Sequence, residues 1–386
     1  MQMMLEGWIM FFAFEKFGYI LAGAACLLLF AIVLGSSVVF ADFNFDATGD
    51  WGCSSSTSST VNNIKGKGPE RVFGIGDYSY SSTATCWLDK ISDIKSKTKI
   101  AIGNHEDDSD EGFSQYMSAF GLSKTYYSFN YNNVHVLVMD TDHVSFSSGS
   151  SQYNFVKSDL ESAVKNSNIK WIIVYMHKPM FTSPNSCSSS GCTNGGDTAK
   201  SLRTTYGTLF YNNRVDLVLQ GHVHNFQRTF PIKYSGSSTP TITSSATTDY
   251  NDPPGWISAI VGTGGINFHA LSGKPSWVKF QQDNKFGILD IKITNNGYRL
   301  EGRYWTNSGS QLDKFTISKT GTTTSTAGAY LYGPSLSLSG PDTTIKNGVE
   351  NGKNVVNNGK GLGTVNGQGK GLDCAHFKQQ GPVRCR

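Results

Sequence analysis

Charge is scarce in this chain. Only 16% of its 386 residues are Asp, Glu, Lys or Arg, while Gly and Ser are abundant. That balance argues against a helical cytosolic protein and suits a loop-rich exported one. A dense basic stripe with interleaved aromatics is also lacking, which excludes a nucleic-acid footprint. The net charge of +4 resides in the tail, where seven basic residues face three acidic ones from Thr322 onward. The rest of the chain is near neutral, and the tail reads as a solvated segment. No Cys-x-x-Cys pair occurs, so the cysteines do not suggest a zinc site. Gly262-Thr263-Gly264-Gly265 lacks the Lys-Ser/Thr of a phosphate-binding loop and reads as a tight turn at the rim of a site. A convincing internal repeat is absent too.

What is present begins with an apolar run over residues 18–40, preceded by Lys16. Gly35-Ser36-Ser37 interrupts it, and Val39-Phe40-Ala41 resembles a cleavage site. The run reads as a signal peptide with its apolar centre over 21–34. The alternative is an uncleaved anchor attaching the chain to the outer face of a membrane. Either way the rest is expected outside the cytoplasm. The cysteines agree: Cys26 lies in the run, and the other six suit an oxidising compartment. Cys187 and Cys192 flank a short loop, Cys374 and Cys385 bracket the C-terminus, and Cys53 and Cys86 remain. Three local disulfides are the economical reading, although spacing alone does not fix their connectivity.

Short Val-, Ile- and Phe-rich runs read as buried strands over 43–48, 71–75, 99–102, 134–139, 170–176, 215–219 and 256–261. Helical patterns fall between them, over 85–97, 112–120, 151–166 and 198–211. Strands alternating with helices indicate an α/β domain built from βαβ units. Period-two alternation follows over 287–294, 299–305 and 314–318, with Asn295-Asn296-Gly297 as a hairpin turn. From Thr320 the apolar rhythm is lost, and 322–372 reads as linker. The expected organisation is an export segment over 1–41, a catalytic domain over 42–319 and a low-complexity tail over 320–386.

Five of the strand ends deliver metal-binding side chains. They read Gly49-Asp50-Trp51-Gly52, Gly76-Asp77-Tyr78-Ser79-Tyr80, Gly103-Asn104-His105-Glu106, His177-Lys178-Pro179 and Gly221-His222-Val223-His224. Sites in α/β sheets assemble at the carboxyl ends of strands. If Asp77 bridges, one metal takes Asp50, Asp77, Tyr80 and His224, and the other takes Asp77, Asn104, His177 and His222. A mixed nitrogen and oxygen set suits iron, zinc or manganese better than calcium. A phenolate favours a hard ion such as Fe(III). Two such ions can clamp the attacking and leaving oxygens of a displacement at phosphorus. Lone histidines are usually structural, and His135, His143 and His269 are read so.

The order and spacing of the five blocks resemble the metallophosphoesterases, and the purple acid phosphatases in particular. Gly52 stands where the wider superfamily places a histidine, and Tyr80 supplies a ligand instead. The sequence from His224 to Pro231 also looks like that family. The resemblance spans about residues 43–318 and is similar to the small form without an extra N-terminal β-sandwich. It implies a four-layer α/β/β/α sandwich of two mixed sheets flanked by helices. It also implies Fe(III) with a second Fe, Zn or Mn ion, and hydrolysis of small phosphomonoesters at acidic pH by a metal-activated hydroxide. His105, beside Asn104, is expected to bind phosphate or protonate the leaving group. Unlike several members, this chain has no histidine between His177 and His222. A phosphodiesterase or nucleotide pyrophosphatase is the alternative within enzymes. A surface binding protein that keeps the metals without turnover is the alternative outside them.

Overall fold

The computed structural model describes residues 41–186 and 196–320. The export segment, Cys26, the loop cysteines Cys187 and Cys192, and the tail with Cys374 and Cys385 lie outside the described residues.

The first half alternates strands and helices, as the apolar runs require. It comprises β1 (Phe43–Thr48), α1 (Ser55–Lys67), β2 (Arg71–Ile75), α2 (Thr85–Lys90), β3 (Thr98–Ala101) and α3 (Asp110–Ala119). A hairpin follows, formed by β4 (Tyr127–Tyr131) and β5 (Val134–Val138). Then come α4 (Ser151–Lys165), β6 (Trp171–Tyr175), α5 (Asp197–Asn212) and β7 (Leu217–Gln220). The remainder is strand: β8 (Phe226–Lys233), β9 (Thr241–Ile242), β10 (Asp249–Asn251), β11 (Trp256–Val261), β12 (Val278–Gln282), β13 (Gly287–Thr294), β14 (Arg299–Thr306) and β15 (Gln311–Ser318).

These strands form two mixed sheets. One has the order β10-β15-β14-β13-β1-β2-β3, the other β12-β8-β11-β7-β6-β5-β4, with β9 paired to β8. Within them β1, β2 and β3 run parallel, as do β5, β6, β7 and β11. Parallel strands send their carboxyl ends to one edge, which is where a site can assemble.

Alternating side chains dictate the layers. Phe45, Phe73, Val136, Ile173, Leu219, Ile291 and their neighbours fill the space between the sheets. The opposite face of the β6–β7 sheet packs Val174 and Val218 against Leu160 of α4 and Leu202 and Phe210 of α5. The opposite face of the β1–β2 sheet packs Val72 and Ile100 against Ile64, Trp87 and Tyr116 of the first three helices. The result is the expected α/β/β/α sandwich. A buried ion pair ties the sheets together: Arg228 of β8 is fully buried and donates Nη2–H to Oδ1 of Asp313 on β15 at 2.9 Å.

Some elements differ from expectation. The helix read over 85–97 stops at Lys90, and only a single 3₁₀ turn, Lys95–Lys97, follows. The sequence reading had no helix at α1, because its run of Ser, Thr and Asn buries only Val61 and Ile64 among apolar residues. Its ends are nonetheless marked: Ser54 accepts from the N–H of Ser56, and Gly68 closes the C-terminus in the left-handed region. The Asn295-Asn296-Gly297 turn is present, with all three residues at positive φ. The carbonyl of Gly297 accepts from Asn133 and Trp171, pinning the hairpin to the other sheet.

Candidate metal centre

The loops after β1, β2, β3, β6 and β7 converge at the shared edge. Their conformation is costly. Asp50, Asp77, Tyr80 and His222 all sit at positive φ, between 53° and 67°. Non-glycine residues avoid this region, and such strain persists where surrounding structure enforces it, often at functional sites. Glycine is required beside them. A Cβ at Gly103 would lie 2.3 Å from Asp77 Oδ1, and one at Gly76 would lie 2.6 Å from His177 Nδ1.

Two groups of donors result, and they share Asp77. Ligand atoms of Asp77, His177 and His222 lie within 4.8 Å of one another, as do those of Asp50, Asp77 and His224. His177 Nε2 is 3.1 Å from Asp77 Oδ2 and 3.2 Å from His222 Nδ1. In the second group His224 Nε2 is 3.5 Å from Asp50 Oδ1. The Tyr80 hydroxyl lies 3.3 Å from a carboxylate oxygen of each of Asp50 and Asp77, and 3.0 Å from His224 Nε2. Asn104 follows Gly103, where an added Cβ would meet Asp77 and His177, and its Oδ1 is buried without a hydrogen-bond partner. A buried acceptor left unpaired is costly, and a cation would satisfy it.

The second ring nitrogens are engaged elsewhere. His177 Nδ1–H donates to the Ile75 carbonyl at 2.8 Å, and His224 Nδ1–H donates to the Asn267 carbonyl at 2.7 Å. Both Nε2 atoms are thereby turned toward the carboxylates, where each could offer its lone pair to a bound cation. Backbone N–H groups orient the carboxylates in turn: His105 donates to Asp77 Oδ1, and His222 to both oxygens of Asp50.

The electrostatics of the protein groups alone are unbalanced. Burial, reinforced by the Asp77 charge, raises Asp50 well above the carboxylate range. Burial, then Asp50 and Asp77, pushes the Tyr80 phenol up. Burial opposes ionisation of Asp77 too, but His177 outweighs it and holds Asp77 low. His177 in turn is depressed by burial yet lifted to about 10, chiefly by Asp77. Burial and His177 depress His222. A bound cation inverts this logic by stabilising each anion. The donor set, the orphaned Asn104 oxygen and the unbalanced anions all fit two metal ions.

Glu106 belongs to the site although the sequence reading gave it no role. Its buried carboxylate accepts from the N–H groups of Asp77, Tyr78 and Gly103 at 2.7–2.8 Å, joining the second block to the third. Burial and the Asp77 charge raise it to about 7. Its only sequence signal is its place after Gly-Asn-His. The structure puts His105 beside Tyr80, with ring centroids 4.3 Å apart and Nδ1 2.9 Å from Asp108 Oδ2. His135 is a structural residue bound to Asn130 and Asp159, and His143 bonds Asp140. His269, read as structural, instead lies against the candidate ligand His224, with ring centroids 3.8 Å apart. Gly262-Thr263-Gly264-Gly265 does border the site: the N–H of Gly264 donates to the Gly49 carbonyl. Cys53, in the loop after Asp50, pairs with Cys86 at the start of α2.

Known proteins resemble this chain in sequence and fold. Residues 38–226 match the model of the calcineurin-like phosphoesterase family. A probable inactive purple acid phosphatase 1 from Arabidopsis thaliana is 29% identical over 66% of this chain and 44% of its own length. A nucleotide pyrophosphatase/phosphodiesterase from Hordeum vulgare is 25% identical over 64% of this chain and 72% of its own. The chain thus spans less than half of the first relative. Among solved structures, the purple acid phosphatase PPD1 from yellow lupin seeds superimposes with a TM-score of 0.62 at 23% identity, covering 72% of this chain and 54% of that one. With a family match over the segment that holds all the candidate ligands, and a purple acid phosphatase as fold neighbour, this chain carries a calcineurin-like phosphoesterase domain of the metallophosphoesterase fold.

Proposed function

We propose that the chain is an exported acid phosphatase that hydrolyses small phosphomonoesters with two metal ions, Fe(III) and a second Fe, Zn or Mn ion. The observation that carries this reading is the pair of donor groups sharing Asp77, with the Tyr80 hydroxyl at the group that contains Asp50 and His224. Asp50, Asp77, Tyr80 and His224 would hold the ferric ion. Asp77, Asn104, His177 and His222 would hold the divalent one. The ions would supply an activated water and neutralise charge at phosphorus.

The chain's own residues do the rest. Asp77 sets the spacing of the two groups, and the Glu106 cradle fixes the backbone that presents it. His105 is part-exposed beside Tyr80 and oriented through Nδ1 by Asp108. Its Nε2 is left to bind a phosphate oxygen or protonate the departing oxygen. The Cys53–Cys86 disulfide supports an oxidising compartment, and therefore the reading of residues 18–40 as an export signal or outer-face anchor. Among the described residues no helix is long and apolar enough to cross a membrane.

The test compares hydrolysis of p-nitrophenyl phosphate with that of its bis ester by the metal-loaded full chain. Preference for the monoester is expected, with a loss of about 10²-fold or more for His105→Ala on a poor leaving group. Preference for the bis ester would favour the diesterase reading, which the barley relative motivates. A loaded chain that turns over neither ester would make this a binding protein.

A further inference from the structure

The three candidate histidine ligands are not held alike. His177 is fully buried and His222 is 7% exposed, whereas the His224 side chain is 12% exposed. An imidazole there needs something to fix its ring plane and its tautomer.

The loop after β11 supplies both. It is stitched first to the end of β1, where the N–H of Ile266 donates to the Asp50 carbonyl at 3.2 Å. It then pairs with residue 224 in both directions. The N–H of His269 donates to the His224 carbonyl at 3.0 Å, and the N–H of His224 donates to His269 Nδ1 at 3.2 Å. Asn225 Nδ2–H donates to the His269 carbonyl, and the Asn267 carbonyl accepts His224 Nδ1–H. The His269 ring lies flat on the His224 ring, 3.8 Å apart and 14° from parallel. We infer that His269 is a positioning residue for the metal group containing Tyr80: its side chain clamps His224 so that Nε2 stays turned toward Asp50, Asp77 and Tyr80.

This inference rests on the two-metal reading and adds an asymmetry to it. The clamp's hydrogen bonds and ring contact fall on His224 and its neighbour Asn225, in one of the two groups. Partners of metal-ligating histidines typically tune metal affinity by about 10- to 100-fold. Loss of the clamp should therefore weaken one site and spare the other.

The experiment titrates the metal-free full chain with Zn(II) by calorimetry. It uses wild type, His269→Ala, His269→Asn, which keeps a side-chain acceptor without the stacked ring, and His269→Phe, which keeps the ring without the acceptor. Wild type should show two sites. His269→Ala should weaken one of them about 10- to 100-fold and leave the other unchanged. Asn and Phe should each restore part of the loss, and the metal-free melting temperature should not move. Equal weakening of both sites, or unchanged affinities in His269→Ala, would overturn the clamp while leaving the two-metal reading intact. A wild-type chain with fewer than two sites would overturn the two-metal reading and the clamp with it.

Discussion

Strand β1 presents two buried aspartates, Asp46 within the strand and Asp50 just beyond its end, and each faces another carboxylate. Asp46 lies directly opposite Asp290 of β13, and Asp50 faces Asp77 across the loop edge. Their surroundings differ. Asp46 is wholly buried, and among the described residues no donor reaches either of its oxygens, so its side-chain partner is the facing Asp290 carboxyl. Lys67 and Arg303 supply only part of the compensating charge around the pair, and Asn44 donates to Asp290 rather than to Asp46. Asp50 and Asp77 meet three histidines and a phenol on a backbone forced into the left-handed region. Burying two acids together therefore does not make a metal site. Convergence of neutral donors with fixed tautomers does, and it is enforced at a strand edge where loops can take unusual conformations. The Asp46–Asp290 pair has a simpler resolution, a shared proton.

Removing the shared ligand should give the largest effect. Asp77→Asn should reduce bound metal to at most one ion per chain and lower turnover by about 10³-fold or more, since metals contribute several kcal/mol to such transition states. Two ions retained in this variant would remove Asp77 from the bridging position. A subtler break moves Asp77 without changing it. Gly103→Ala places a methyl against its carboxylate, and misplacement on the order of 1 Å should cost roughly 10²-fold in activity. Normal kinetics in this variant would show that the edge tolerates a shift.

Glu106→Gln keeps the shape of the cradle but loses one of two acceptors. Metal affinity should fall about 10-fold, and stability by roughly 1–3 kcal/mol, measured by titration and denaturant melts. The smallest effect belongs to the other pair. Burial and Asp290 raise Asp46 well above the usual carboxyl range. A folded state that binds the proton more tightly is fully stabilised below about pH 4 and loses that contribution as pH rises toward the folded value. Asp46→Asn should flatten this decline and raise stability at neutral pH, read from denaturant melts across pH. An unchanged slope would contradict the shared proton.

The site was more legible in the sequence than the fold around it. Its candidate donors sit at the ends of five strands, each marked by a short apolar run and, in four cases, by a neighbouring glycine, and Asp50, Asp77, Tyr80, His177, His222 and His224 converge at one edge. Glu106 was not legible because its role is to accept backbone N–H groups, which leave no trace in residue types. His269 was missed for a related reason: its partner is distant in the chain and reached through a loop with no periodicity. Helix α1 was hidden by a polar composition that buries few apolar side chains. Strands β4, β8 and β12 were not read either, since their burial is set by neighbouring strands more than by local pattern.

The most direct measurement is the metal content and visible spectrum of the purified full chain loaded with iron. Two metal ions per chain and a purple phenolate-to-iron charge-transfer band, with the band lost in Tyr80→Phe while Asp50 and Asp77 stay intact, are the predicted result. Two ions with no band, or a band that survives Tyr80→Phe, would contradict the assignment of Tyr80 to the metal and the acid phosphatase reading built on it.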